Sequence, residues 1–482
     1  MLQRLAIPAA KLLRRSSHIV PGQLLVTEHF FQVPLDYANP SASTITLFGR
    51  SATKHESPVV PPDEPPSPRP WLVFLEGGPG FGNREPQDHP LTRVALSHGY
   101  QVLYLDHRGV GLSTPVSTEM LARLPGAGGG QGPDAVDVQA GYLKLMRQDN
   151  TVRDCEAVRK LLTEGLPEHK ARWSIFGQSY GGFVSISYLS LHPEGLREVF
   201  LTGGLAPVGK SADQVYQATF QRTLERNAAY YQKYPEDVEV LRQIAAYIEK
   251  EGGEQGLPLP GGGFLTVPRL LTIGIALGFH GGIDQIHAVL LQLKASLDQL
   301  GFLTRASLAL LESFTPFDTN PIYAVLQEAL YCDGPGSVSN WAAYRVGKAL
   351  SQFSWLASGN TGASSSVPVD QPLLFAGEMV FPLHFETYPE LIPLRAVAER
   401  LATASDWPAL YDVEQLRKNE VPVYAAAFIH DMYVDYGLSM DTAKLIRGIK
   451  TYETNVMYHN ALRAKAEEVL QSLFALRDDV ID

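Results

Sequence analysis

The residues with the clearest chemical potential are Gly177-Gln178-Ser179-Tyr180-Gly181, a G-x-S-x-G pentapeptide. It lies between the apolar run Trp173-Ser174-Ile175-Phe176 and a small-residue stretch after Gly182. The spacing predicts a sharp strand-to-helix turn. Glycines two residues either side of the serine let strand and helix approach without a Cβ clash. Such a turn lifts the hydroxyl above a sheet edge, at a helix N-terminus that favours negative charge. That is the setting of a nucleophile. The plain alternative is an ordinary βα turn, since glycine and serine are common in loops.

A serine hydroxyl reacts only when a base takes its proton and a carboxylate steadies that base. Where a G-x-S-x-G serine serves an α/β-hydrolase sheet, the chain order is serine, acid, histidine. Of the 13 histidines, His459 alone follows the last predicted strand, in Met457-Tyr458-His459-Asn460. A lone surface histidine is the competing reading. For the acid, the strand over 421–429 runs into His430-Asp431-Met432-Tyr433-Val434-Asp435. Asp431 stands where the strand ends and is favoured. Asp435, one turn further on, competes, its other role being to cap the turn that follows.

An oxyanion hole needs two backbone N–H groups aimed at the developing charge. Tyr180, next after the nucleophile, is expected to supply one. The other is expected from Glu76-Gly77-Gly78-Pro79-Gly80, with Gly77 the first choice and Gly78 the second.

These groups must be carried by elements that bring them to one edge. Alternating residues over 23–53 suggest a β-hairpin. A proline-rich loop over 58–70 follows. Short apolar strands at 71–75, 100–105, 173–177 and 199–201 each end in a glycine-rich or polar loop, and a helical stretch spans 149–162. Strands alternating with helices predict an α/β parallel sheet. After about residue 206 the pattern turns helical, over 212–250, 267–293, 305–314 and 324–331. Strand and helix patterns resume at 421–429, 440–446, 450–456 and 462–476. The expected organisation is a basic extension at 1–22, a sheet core at 23–205, a helical cap (lid) at 206–371 and the rest of the core at 372–482.

Composition narrows the function. With 482 residues, 45% hydrophobic and 19% charged, the chain has ample material for a large core. A net charge of −11 argues against a nucleic-acid partner. Two cysteines, Cys155 and Cys332, exclude a disulfide framework and a cysteine metal cluster. No apolar run reaches membrane-spanning length, so no membrane association is expected. The first 22 residues hold Arg4, Lys11, Arg14 and Arg15 and no acid. That reads either as a frayed basic terminus on a cytoplasmic protein or as a mitochondrial transit-type segment.

Three boxes in order, Gly77-Gly78-Pro79-Gly80, Asp106-His107-Arg108-Gly109-Val110-Gly111-Leu112-Ser113-Thr114 and Gly177-Gln178-Ser179-Tyr180-Gly181-Gly182-Phe183, with Asp431 and His459, resemble the proline iminopeptidase family. The length and the helical insertion resemble its longer branch, and the likeness covers about residues 23–470. The segments 377–382 and 328–333 are similar as well.

The resemblance implies an α/β-hydrolase fold with a cap and a serine aminopeptidase using no metal or cofactor. Its substrates would be small peptides with a free N-terminus, from which an N-terminal residue, typically proline, is released. It assigns the triad to Ser179, Asp431 and His459, and the substrate's charged amine to Glu378 and Glu328, with Glu386 in reserve. One residue departs from the family pattern. Glu76 stands where histidine or glutamine is usual, and an ionised carboxylate pointing inward there would oppose the oxyanion. Arg108 reads as architectural, its guanidinium tying loop carbonyls and carboxylates together. Two other readings remain at this level: an esterase or amidase of the same fold, and a catalytically inactive binding protein on this scaffold.

Overall fold

The computed structural model of the chain describes residues 5–56, 68–129, 132–315, 317–358 and 361–479. Most of the expected proline-rich loop lies outside them. The framework is one nine-stranded sheet. In chain order its strands are β1 (Lys11–Val20), β2 (Leu24–Pro34), β3 (Thr44–Lys54), β4 (Trp71–Leu75), β5 (Gln101–Leu105), β6 (Trp173–Gln178) and β7 (Leu196–Thr202). A two-stranded ribbon, β8 (Leu257–Pro258) with β9 (Phe264–Leu265), stands apart. Then β10 (Val423–Phe428) and β11 (Ile449–Thr454) complete the main sheet, whose order is β1-β2-β3-β5-β4-β6-β7-β10-β11. Strands β1, β2, β3 and β5 pair antiparallel, whereas β5, β4, β6, β7, β10 and β11 run parallel.

Parallel strands covered on both faces read as continuous apolar runs. Every residue of β6 and of β10 is buried. On one face Val73, Ile175, Val199 and Ala425 pack with Val152, Val158 and Val184 from the helices Gln148–Leu162 and Tyr180–Leu191. On the other, Phe74, Phe176, Phe200 and Phe428 meet Leu470, Leu473 and Phe474 of the helix Ala466–Asp478. Each fully buried phenylalanine contributes about 1.5–3 kcal/mol. Parallel pairing also puts the C-terminal ends of β4, β6, β10 and β11 on one edge, the property the site depends on.

The expectation of a separate extension over 1–22 is corrected. Lys11–Val20 is an edge strand, pairing with β2 from Lys11 opposite Gln32 to Val20 opposite Leu24. Ile7 and Ala10 are buried, and the Ala10 N–H donates to the Ala157 carbonyl at 2.9 Å. The strand was hidden in the sequence because both its faces are largely exposed, so hydrophobic alternation is missing. Backbone pairing and contacts such as the Arg14 guanidinium, 4.2 Å from the Phe30 ring centre, hold it instead.

Between β7 and β10 the chain is mainly helical, and the sheet resumes only at Val423. The long pattern over 212–250 divides into Ala212–Lys233 and Asp237–Gly252, the first opened by a capping box between Ser211 and Gln214. Short helices continue past residue 372, including Arg395–Ala402 and Val413–Arg417, which pack on Pro133–Lys144 and Tyr180–Leu191 respectively. No helix among the described residues is long and apolar enough to cross a membrane.

Arg108 is fully buried and bonds through each of its donor nitrogens. Nε and Nη2 donate to Asp154 at 2.7 and 2.6 Å, and Nη1 donates to the Leu35 and Leu145 carbonyls at 2.8 and 2.9 Å. The guanidinium thus ties the end of β2 to the helix Gln148–Leu162. Arg108→Met would leave the Asp154 charge buried and unpaired, at a cost of about 3–5 kcal/mol. The check is the urea midpoint, with Asp154→Asn in the same background recovering part of the loss.

Candidate active site

Ser179 follows β6 directly and begins the helix Tyr180–Leu191, with φ 53° and ψ −120°. A non-glycine residue in that region is strained, and its neighbours enforce the strain. A Cβ at Gly181 would run into the Leu75 carbonyl, and one at Gly177 into the Gly181 carbonyl. The Ser179 N–H is held by the Thr202 carbonyl of β7 at 3.0 Å. The hydroxyl therefore has a fixed place above the sheet edge.

His459 reaches it from the loop after β11, with Nε2 2.8 Å from Ser179 Oγ. Its Nδ1 lies 2.8 Å from Oδ2 of Asp431, in the loop after β10. The other Asp431 oxygen accepts the N–H groups of Tyr433 at 2.8 Å and Val434 at 3.0 Å, so this buried carboxylate cannot swing. With Nδ1–H donating to an ionised Asp431, Nε2 presents its lone pair to the serine. Burial alone would lower the imidazole pKa, but the charge and hydrogen bond of Asp431 outweigh it, and Glu378 adds to them; the net shift is upward. Asp435 takes its other role. It accepts the Leu438 N–H at 3.0 Å, capping the helix Tyr436–Leu445, and pairs with Arg222 at 3.0 Å.

The His459 loop is also pinned by a residue that sequence reasoning passed over. His280, in the helical block, accepts the Tyr458 N–H on its ring Nε2 at 3.0 Å, and its backbone N–H donates to Asn460 Oδ1 at 2.8 Å. A lone histidine in a loop, 180 residues away in the chain, carried no signal of this.

The oxyanion donors divide. Tyr180 is the first residue of its helix, so its N–H has no intrahelical acceptor and is available. Gly77 is as close as expected: a Cβ there would lie 3.2 Å from Ser179 Cβ. Its N–H, however, donates to Oε1 of Glu76 at 2.9 Å. Glu76 itself is buried, its carboxylate shared between that N–H and Arg463 Nη2 at 3.4 Å. The His107 ring bonds the Glu76 carbonyl at 3.0 Å, and Asp106 accepts the Asn83 and Leu112 N–H groups at 2.7 and 3.0 Å. The 106–114 box is thus a brace behind this loop.

Ser179, His459, Gly77 and Gly78 open into a cavity of about 400 Å³. Its roof is aromatic and comes mainly from the helical block: Phe279, Phe314, Phe317 and Tyr323, with Tyr433 beside them. Glu378 lines it, half-buried, with the Tyr323 hydroxyl donating to Oε1 at 2.5 Å. Burial pushes the Glu378 carboxyl up to about 7, against the pull of His459 and Tyr323. Glu328 does not line this cavity. Its carboxylate accepts the N–H groups of Ala342 and Ala343 at 3.1 and 2.9 Å, capping the helix Ala342–Lys348 from inside. Glu386 pairs with Arg395 at 3.0 Å, also away from the cavity lining. The resemblance gave no way to tell a capping glutamate from a cavity one, since only side-chain direction separates them.

Residues 70–243 match the alpha/beta hydrolase fold family. Over 476 residues the chain is 40% identical to proline iminopeptidase aneH of Aspergillus aculeatus, covering 99% of each. It is 38% identical over 463 residues to the proline iminopeptidase of Aeromonas sobria, covering 96% of this chain and 99% of that one.

The chain belongs to the proline iminopeptidase family.

A crystal structure of a proline iminopeptidase from Mycobacterium smegmatis is a distant structural match, with a TM-score of 0.41 and 14% identity, covering 96% of this chain and all of that one. Within this family member, Ser179, Asp431 and His459 stand beyond the C-terminal ends of β6, β10 and β11, and the cavity above Ser179 and His459 is roofed mainly by residues from the segment between β7 and β10.

Proposed function

We propose that the chain is a serine aminopeptidase that releases an N-terminal residue, preferably proline, from small peptides through an acyl-enzyme. The observation that carries this reading is Glu378, a carboxylate facing the same cavity as Ser179 and His459. An esterase needs no acid there, whereas an exopeptidase must hold a cation close to the bond it cuts. The family's named relatives support the same choice.

In this mechanism the substrate's amine lies against Glu378 and Tyr323, and the adjacent carbonyl rests on Ser179. His459 Nε2 takes the Oγ proton as the bond to carbon forms, and the Asp431 charge stabilises the imidazolium. The oxyanion is met by the Tyr180 N–H and by an N–H of the 77–78 turn. His459 then protonates the leaving amine, and the acyl-enzyme is hydrolysed by water activated at the same ring. The helices over 206–371 act as the cap, their aromatic side chains excluding bulk water and strengthening each charge interaction. No step calls for a metal or cofactor.

The test compares proline aminomethylcoumarin amide with its N-acetyl derivative. Cleavage is expected only with the amine free; equal rates on both would replace this reading with an esterase or amidase. Glu378→Gln is expected to lower kcat/KM on the free-amine substrate by about 10–150-fold, the equivalent of a charge-assisted hydrogen bond of about 1.5–3 kcal/mol. The pH profile gives a second reading. Glu378 is neutral below its raised value of about 7 and then cannot pair with the cation, so kcat/KM rises as pH climbs through that value. In Glu378→Gln that part of the acid limb disappears, leaving the one set by His459.

A further inference from the structure

The cavity holds a second charge that the chemistry above does not use. Arg463 lies one helical turn beyond His459, in the short helix Ala461–Ala464, and is among the residues that line the cavity with Glu378. Its side chain is 44% exposed, and among the described residues its one side-chain polar partner is Glu76, at 3.4 Å. That contact is long, and the same Glu76 oxygen already accepts the Gly77 N–H at 2.9 Å. A guanidinium has five N–H donors in a planar fork that matches a carboxylate. Most of this fork is therefore without a protein partner among the described residues, in a residue that lines the cavity.

Its place relative to the chemistry follows from the same contacts. Arg463 Nη2 is no further from the Gly77 N–H than those two distances laid end to end, and Gly77 packs on Ser179. A peptide residue spans about 3.3–3.6 Å when extended. The carboxylate of a dipeptide lies about one residue beyond the bond that Ser179 attacks, and that of a tripeptide about two. Either falls within the reach of a flexible arginine there. The two cavity charges also act on His459 in opposite senses, Glu378 raising its pKa and Arg463 lowering it, so both sit close to the reacting centre. A cavity of about 400 Å³ with a carboxylate and a guanidinium on its wall is matched in charge to a short zwitterion.

We propose that Arg463 is the anchor for the free α-carboxylate of a short peptide, making di- and tripeptides, rather than long chains or capped amides, the substrates this site selects. The proposal rests on the aminopeptidase reading of Ser179 and Glu378. It also accounts for Glu76, whose charge holds the arginine head at the cavity wall while the arginine offsets that charge beside the oxyanion loop.

The experiment measures proline release from Pro-Ala and from its C-terminal carboxamide, in the wild type, Arg463→Gln and Arg463→Lys, with proline aminomethylcoumarin amide run alongside. The wild type is expected to favour the free acid over the carboxamide by about tenfold in kcat/KM, a moderate figure for a charge pair in a partly exposed site. In Arg463→Gln the ratio falls towards one, and Arg463→Lys keeps an intermediate ratio because its charge remains while the fork is lost. A wild-type ratio near one, or a preference that survives in Arg463→Gln, overturns the anchor while cleavage of the coumarin amide leaves the aminopeptidase reading standing. Failure of the wild type to cleave any of the three substrates overturns both.

Discussion

Ser179→Ala is expected to lower kcat on proline aminomethylcoumarin amide by about 10⁶-fold, leaving only the residue of rate that the oxyanion donors and substrate binding supply. The size follows from the loss of the covalent route. Without Oγ no acyl-enzyme forms, and His459 has no bound nucleophile to deprotonate. The fold should tolerate the change, because among the described residues Oγ bonds only His459, and the strained turn is held by backbone contacts around Gly177 and Gly181. A fluorophosphonate probe distinguishes the remaining readings. It should label the wild type at Ser179 and leave Ser179→Ala unlabelled; an unlabelled wild type would point to the inactive binding protein. Thermal melts of both proteins check that the fold is shared.

Asp431→Asn should cost about 10⁴-fold in kcat, and here the hydrogen bonds give the direction as well as the size. One Asp431 oxygen accepts two backbone N–H groups, from Tyr433 and Val434. An asparagine would keep its carbonyl oxygen on those donors, because its NH₂ cannot accept them. The NH₂ would then face His459 Nδ1 and force that nitrogen to accept. The proton moves to Nε2, which would donate to Ser179 and could no longer serve as its base. The same substitution at Asp435 is the control. It keeps a competent helix cap, since asparagine caps as well as aspartate, and loses the ion pair with Arg222, a stability cost of about 0–1 kcal/mol, and kcat should stay near wild type. If the two variants exchanged these outcomes, the assignment of the acid would pass to Asp435.

Much of the sheet was legible because its parallel strands are buried on both faces and so carry unbroken apolar runs, as β6 and β10 do. Legibility failed where that signal fails. The edge strand β1 is largely exposed and held by backbone pairing, so residues 11–20 look like a basic tail. The helices Pro90–Ser97 and Pro133–Lys144 were not anticipated either; each opens on a proline in a loop-like stretch, where a proline at the first turn is compatible with a helix but reads as a break. The 106–114 box shows a third kind of limit. Its pattern identified the family resemblance, yet its work as a brace, Asp106 on two backbone N–H groups and Arg108 on Asp154, belongs to partners spread from residue 34 to residue 154.

By itself the chain's order of residues determined the local units: glycines around Ser179 that permit only a tight turn, and loops ending β10 and β11 that carry an acid and a histidine in the expected order. Those features act over a few residues, through backbone sterics and hydrophobic periodicity, and so they survive in a one-dimensional text. The tertiary structure alone decided which carboxylates serve the cavity. Glu328 turns its carboxyl group onto the amides of Ala342 and Ala343, Glu378 holds its own beside Tyr323 on the cavity wall, and Arg463 meets Glu76 across 387 positions of chain. A side chain's direction depends on what packs around it, and in this fold the surroundings of each charge come from segments far apart in the chain.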